Sequence, residues 1–169
     1  MKVIFLDVDG VLNDSSTKET CLSPDGYIGV DAEKLYRLAR IVWSTGARLV
    51  LTSTWKEELD GKLSPLSNDG RYLLQKIAEY GLSLYDKTED DVFDRGHGIL
   101  KWLSNHHEVD TCIVLDDTCF DDYAEFDNGF VGLSDDRRVH LCFIKTNYEF
   151  GGLTEEIASQ CIQYLNAQI

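Results

Sequence analysis

The most constraining stretch of the chain is its start, where Val3-Ile4-Phe5-Leu6 runs without a polar break into Asp7-Val8-Asp9-Gly10. Four consecutive apolar residues leave no polar face, the pattern of a parallel strand covered on both sides. Open α/β sheets bind their ligands just beyond the carboxyl ends of such strands. Two aspartates at that end, followed by a glycine that admits a tight turn, repel each other unless a cation lies between them. A strand, paired carboxylates and an implied cation point to phosphoryl chemistry.

Strand and helix patterns then alternate to the end of the chain, which predicts βαβ units and an α/β fold with a mainly parallel sheet. Residues 13–29 contain Ser23-Pro24-Asp25-Gly26 and read as a loop or flap over the strand ends. Asp31 is a suitable N-cap for a helix whose inner face is Leu35, Leu38, Ala39, Val42 and Trp43, ended by Gly46. Arg48 to Thr52 reads as the second strand. A helix around Tyr72 to Tyr80, ended by Gly81, precedes a short strand near Leu82 to Tyr85. A helix with Ile99, Leu100 and Leu103 inward leads to the strand Thr111 to Leu115. A last strand, Val139 to Ile144, and a closing helix, Glu155 to Leu165, complete the set. With no repeat, low-complexity stretch or linker, residues 1–169 read as a single domain, long enough to bury a full core.

Charge bounds the partners. Sixteen basic against 30 acidic residues give a net charge of −14, which argues against broad binding to a nucleic-acid backbone. A phosphate substrate must then be drawn in by local positive charge, from a cation or a few Lys and Arg side chains. The five cysteines (Cys21, Cys112, Cys119, Cys142, Cys161) form no C-x-x-C pair and read as thiols of a reducing compartment. No apolar run approaches the ~20 residues of a membrane span, and Met1-Lys2 leads straight into a strand. The expectation is a cytoplasmic protein without a signal peptide or membrane partner.

Three strands end in polar groups suited to one site. The first delivers Asp7 and Asp9, the second Thr52 and Ser53, and the strand at 111–115 delivers Asp116-Asp117. Right-handed crossovers bring such ends to one edge of the sheet. Mg²⁺ prefers oxygen ligands and is held by one or two carboxylates, waters and a substrate phosphate. Asp7, one of Asp116 and Asp117, and the backbone carbonyl of Asp9 are the expected protein ligands. Asp7 is then placed to attack phosphorus, Asp9 to move the proton of the leaving oxygen, and the Thr52 hydroxyl to hold a phosphoryl oxygen.

Asp7-Val8-Asp9-Gly10-Val11-Leu12-Asn13, Leu51-Thr52-Ser53, a basic residue and Val114-Leu115-Asp116-Asp117, in that order, resemble the four motifs of the haloacid dehalogenase superfamily of phosphatases and phosphotransferases. The D-V-D-G-V-L-N opening, Thr52-Ser53-Thr54-Trp55, Ile99-Leu100-Lys101-Trp102-Leu103 and Gly151-Gly152-Leu153-Thr154 are similar to a compact branch, the phosphatase-like domain of "Swiss Army Knife" RNA repair proteins. The resemblance implies a three-layer, Rossmann-like fold with no cap or a minimal one. It implies Asp7 as nucleophile, Asp9 as general acid/base, Thr52 and Ser53 as phosphate-binding, and Asp7, Asp9, Asp116 and Asp117 around Mg²⁺. The basic residue is Arg95, just ahead of a helix, or Lys101 deeper in it, with Lys56 third. The expected activity is a phosphohydrolase working through an aspartyl-phosphate, on a phosphorylated small molecule or a phosphorylated nucleic-acid end.

Two other readings differ in class. A phospho-receiver module carries its acceptor aspartate on a middle strand, whereas D-x-D opens this chain. A catalytically silent relative keeps the pocket for binding or regulation, but no motif residue is missing here. His106-His107 reads as a solvated pair at a helix C-terminus, and Trp55 and Trp102 as core or loop-anchoring residues.

Overall fold

The computed structural model describes residues 1–17, 21–89, 94–134 and 136–167. Six strands, β1 (Lys2–Leu6), β2 (Arg48–Leu51), β3 (Leu84–Lys87), β4 (Thr111–Asp116), β5 (Phe130–Ser134) and β6 (Arg137–Lys145), form one sheet. Its order is β3-β2-β1-β4-β6-β5, parallel throughout except for the β5–β6 pair. Helices α1 (Ala32–Thr45), α2 (Asn68–Glu79), α3 (Arg95–Asn105) and α4 (Glu155–Asn166) cover the two faces.

The continuous apolar run of β1 is explained by its central place. Val3, Ile4, Phe5 and Leu6 are fully buried, and their neighbours supply two separate cores. Ile4, Leu6, Leu49, Leu51, Ile113 and Leu115 pack with α1, α2 and α4 on one face. Val3, Phe5, Val50, Cys112 and Val114 pack with Ile99, Trp102 and Leu103 of α3 on the other. This is the expected three-layer α/β arrangement.

Asp31 caps α1 as expected, accepting from the amides of Glu33 and Lys34 at 2.8 and 3.1 Å. One expectation for α1 fails. Trp43 is 59% exposed and meets Tyr36 edge-on at 6.4 Å. The buried face is centred on Leu35, Leu38 and Ile41, and Trp43 lies round the helix from it. α2 begins earlier than its apolar residues suggest, because Ser67 caps it by accepting from Gly70 N at 2.9 Å. Strand β3 starts two residues later than the sequence suggests, and β5 was not foreseen. An edge strand needs only one partner and one covered face, so its apolar signal is weak. Gly132 and the acid-rich approach to β5 weaken it further.

Because β1 lies between β2 and β4, their carboxyl ends are neighbours. The ladder continues past each strand, with Asp7 N donating to Leu115 O and Thr52 N to Leu6 O, both at 2.9 Å. The loop after β1 is clamped from the far end of the chain. Leu153 N donates to Val11 O at 2.9 Å, and Gly152 (φ +56) sits so close that a Cβ there would lie 2.9 Å from the carbonyls of Val11 and Asn13. A buried pair, Lys34 Nζ to Asp14 Oδ2 at 2.8 Å, ties the start of the 13–29 segment to α1. Burial opposes its charge, yet the Lys34 ammonium and the Ser16 hydroxyl hold the Asp14 carboxyl well below the usual carboxylate range.

Candidate active site

Asp7 ends β1 and is buried, as is Asp116 at the end of β4; Asp117 is half-buried. One oxygen of each of these three carboxyls lies within 4.8 Å of those of the other two. Asp117 packs directly on Gly10 (φ +75), where a Cβ would lie 2.3 Å from its carboxyl carbon. Only glycine fits here, for both the backbone angle and the contact.

The basic residue at this cluster is Arg95, the first residue of α3. Its guanidinium is buried, 2.7 Å from Asp116 Oδ2 and 3.2 Å from Asp7 Oδ1, and lies 4.7 Å over the Phe120 ring. Tyr123 donates its hydroxyl to Asp116 Oδ2 at 3.1 Å, and Thr118 N donates to Oδ1 at 2.9 Å. Lys101 is not brought to the site. It is on the solvent side of α3, 65% exposed and 3.9 Å from Glu89. Lys56 is buried in the 3-10 turn Thr54–Glu58; its carbonyl and that of Leu59, just after the turn, accept from Lys87 Nζ.

Burial, then the neighbouring Asp116 charge, push the Asp7 carboxyl up to about 7, against the opposing pull of Arg95 and the Ser53 hydroxyl. Asp116 is also raised by burial, with Arg95 the chief opposing influence. The site therefore holds more negative charge than the fold by itself accommodates, the usual mark of a place prepared for a cation or a reacting group.

Among the described residues, two buried oxygens lack a hydrogen-bond partner here: Asp7 Oδ1 and Thr52 Oγ1. An all-oxygen donor set with free lone pairs suits a hard cation such as Mg²⁺. Thr52, the residue after β2, is fully buried, and its hydroxyl without a partner is the kind of group that calls for an explanation.

Asp9 stands apart from the three carboxyls. Its side chain is exposed and fixed from both sides, Oδ2 accepting from Trp55 Nε1 at 3.1 Å and Oδ1 from Asn13 Nδ2 at 2.8 Å. Asn13 Oδ1 in turn accepts from Gly10 N at 2.9 Å. Trp55, read from the sequence as a core or loop-anchoring residue, is buried and holds the Asp9 carboxyl through its indole N–H. Trp102 is the core residue expected, with its Nε1 donating to Asp86 Oδ2 at 2.7 Å. His106 is not simply solvated, since its ring stacks on Trp102 at 3.6 Å. Tyr123 and Asn13 are the site residues that sequence reasoning did not single out. Tyr123 lies in an acid-rich stretch with no strand-end signal, whereas Asn13 stood inside the opening motif.

Beside Asp9 lies a cleft of about 260 Å³, lined by Thr54, Trp55, Glu58 and Asp69 and, from the 13–29 segment, Tyr27 and Ile28. Residues 18–20 of that segment lie outside the described residues. A second trio, Asp94, His97 and Asp122, meets on the surface, where Asp122 Oδ2 accepts from His97 N at 3.0 Å.

No curated protein and no solved structure matches the chain. A family model does: the HAD domain in Swiss Army Knife RNA repair proteins matches residues 3–156. That span runs from the first strand into the last helix and includes every residue of the carboxylate cluster, Arg95 and Thr52. The chain belongs to the family of HAD domains found in Swiss Army Knife RNA repair proteins.

Proposed function

We propose that the protein is a Mg²⁺-dependent phosphomonoesterase that works through an aspartyl-phosphate on Asp7. The observation that carries this reading is the meeting of Asp7, Asp116, Asp117 and Arg95 beside two buried oxygens that make no hydrogen bond, Asp7 Oδ1, which is ion-paired with Arg95, and Thr52 Oγ1. Asp7, Asp116 and Asp117, with the backbone carbonyl of Asp9, would hold Mg²⁺, which supplies neutralisation of phosphate charge when bound. Thr52 and Ser53 donate to phosphoryl oxygens, and Arg95 adds a planar, permanently charged donor.

The Asp7 carboxylate attacks phosphorus, and the bond to the ester oxygen breaks. Asp9 passes a proton to the departing alkoxide, so the alcohol leaves neutral. Asp9 then takes a proton from water as that water attacks the phosphoryl group. The bond between Asp7 and phosphorus breaks, and free phosphate and the Asp7 carboxylate return. Trp55 and Asn13 hold the Asp9 carboxyl in one orientation for both proton transfers.

The substrate is a phosphorylated small molecule or, as the family description suggests, a phosphorylated nucleic-acid end. All five cysteines are free, and no described helix is long and apolar enough to cross a membrane. The cytoplasm is the proposed place of action.

The test is hydrolysis of phenyl phosphate by the purified protein with Mg²⁺ and with EDTA. Turnover with the metal and none with the chelator is expected. Equal turnover in both would remove the metal from the scheme, and silence of folded protein in both would overturn the phosphatase reading.

The role given to Trp55 has its own consequence. Trp55→Phe keeps an aromatic ring but removes the N–H that aims Asp9. A phenolate leaves without much protonation, whereas an alkoxide needs the proton. The expected result is about a tenfold loss of kcat on an alkyl phosphate and a much smaller loss on phenyl phosphate. Equal losses on both would mean that Trp55 acts only through packing.

A further inference from the structure

The cleft beside Asp9 is where the alcohol half of the ester must lie, since the proton carried by Asp9 is delivered to the ester oxygen. Its lining has a marked electrostatic character. Asp9, Glu58 and Asp69 contribute carboxyls, and among the described residues no Lys or Arg lines it. Asp69 is buried and spends one oxygen on Asp25 N at 3.1 Å. The rest of the lining is Tyr27, Ile28, Thr54 and Trp55. Trp55 is buried and fixed by its bond to Asp9, while Tyr27 is 68% exposed. The Arg95 guanidinium does not line the cleft; it lies against Asp7 and Asp116, at 3.2 and 2.7 Å.

We infer that this cleft selects a small phosphate monoester whose alcohol half is neutral or cationic and rich in hydrogen-bond donors, and that it rejects an ester carrying a second anionic group. This rests on the phosphatase reading and names the substrate class for that same site. A second phosphate would enter a partly enclosed space facing up to three carboxyls with no compensating cation, where like charges are poorly screened. An amine or hydroxyl there finds acceptors, and a planar ring finds Tyr27 and Trp55. The volume, near the low end for small-ligand pockets of ~300 Å³, admits a single ring with substituents. A nucleic-acid end carries further phosphates beyond the scissile ester, and the lining offers them no Lys or Arg.

The test uses three esters of one shape: 4-(aminomethyl)phenyl phosphate, phenyl phosphate and 4-carboxyphenyl phosphate, with a 5′-phosphorylated oligonucleotide beside them. The expected kcat/KM falls along that series, by about tenfold or more from the amine to the carboxylate, with the oligonucleotide lowest. The ratio narrows as salt is raised. Glu58→Gln reduces the amine-to-carboxylate ratio and Glu58→Lys inverts it. Because the ratio is taken within each variant, it does not depend on how much of that variant is folded. A carboxylate ester or oligonucleotide turned over as well as the amine, or a ratio untouched in Glu58→Lys, overturns the inference and leaves the phosphatase standing. Silence of the wild type toward phenyl phosphate with Mg²⁺ overturns the phosphatase reading, and this inference with it.

Discussion

Asp7→Asn is expected to give a protein that is folded, inert and, without metal at about pH 8, more stable than the wild type. The amide cannot attack phosphorus, so turnover should fall by about 10⁴-fold or more. The stability gain follows from the environment of the carboxyl. Burial first, then the nearby Asp116 charge, raise it from 3.8 to about 7 despite Arg95 and Ser53. The folded state therefore binds this proton more tightly than the unfolded chain, and stability declines as pH rises across that interval. The penalty is absent below about 4 and fully present above about 7. An asparagine never incurs it, though it also gives up the attraction to Arg95 at 3.2 Å. A net gain of a few degrees in Tm at about pH 8, vanishing near pH 4, is the expected balance. Mg²⁺ should stabilise the wild type more than the variant, because one ligand has lost its charge. Turnover matching the wild type would end Asp7's role as nucleophile. A variant less stable at pH 8 would show that the Arg95 contact outweighs the burial penalty.

Much of this site was legible in the sequence because it sits at the ends of central strands. A strand buried on both faces must be apolar throughout, so the run before Asp7 and the run before Asp116 mark themselves. Parallel crossovers then require their ends to be neighbours, and the register Leu6 against Leu51 and Leu115 makes them so. Edge strands carry no such compulsion, which is why β5 went unseen and β3 was displaced. The side-chain contacts were legible only in part. Nothing in the sequence distance between Asp9 and Trp55 reveals that the indole N–H ends 3.1 Å from the carboxyl. The same holds for Tyr123 on Asp116. Trp43 shows the opposite error, since an apolar residue near a helical stripe was placed on it, although its neighbour Val42 already filled that position.

The choice between Arg95 and Lys101 turned on one helical detail, and it yields the second large effect. Arg95 begins α3 and so points from the helix start toward the strand ends, while Lys101 comes nearly two turns later on the outer face. Arg95→Met removes the cation set between Asp7 and Asp116 and leaves two buried carboxyls facing each other. Breaking such a pair from one side costs about 3 kcal/mol or more. The cost should depend on pH in a definite direction. Without Arg95, whose charge lowers both carboxyls, the folded pair keeps a proton to higher pH. The destabilisation is then small at about pH 5, where a shared proton relieves the repulsion, and grows as pH rises past about 7. Mg²⁺ should restore part of the loss, since it supplies charge at the same carboxyls. Arg95→Lys, which keeps the charge but not the fork, should fall between. Lys101→Met, altering an exposed side chain, should shift stability by no more than ~0.5 kcal/mol at any of these pH values. Thermal melts of the four proteins across pH, with and without Mg²⁺, decide the matter. A loss in Arg95→Met that is the same at every pH would mean that the residue matters for packing over Phe120 and not for the charge between the two aspartates.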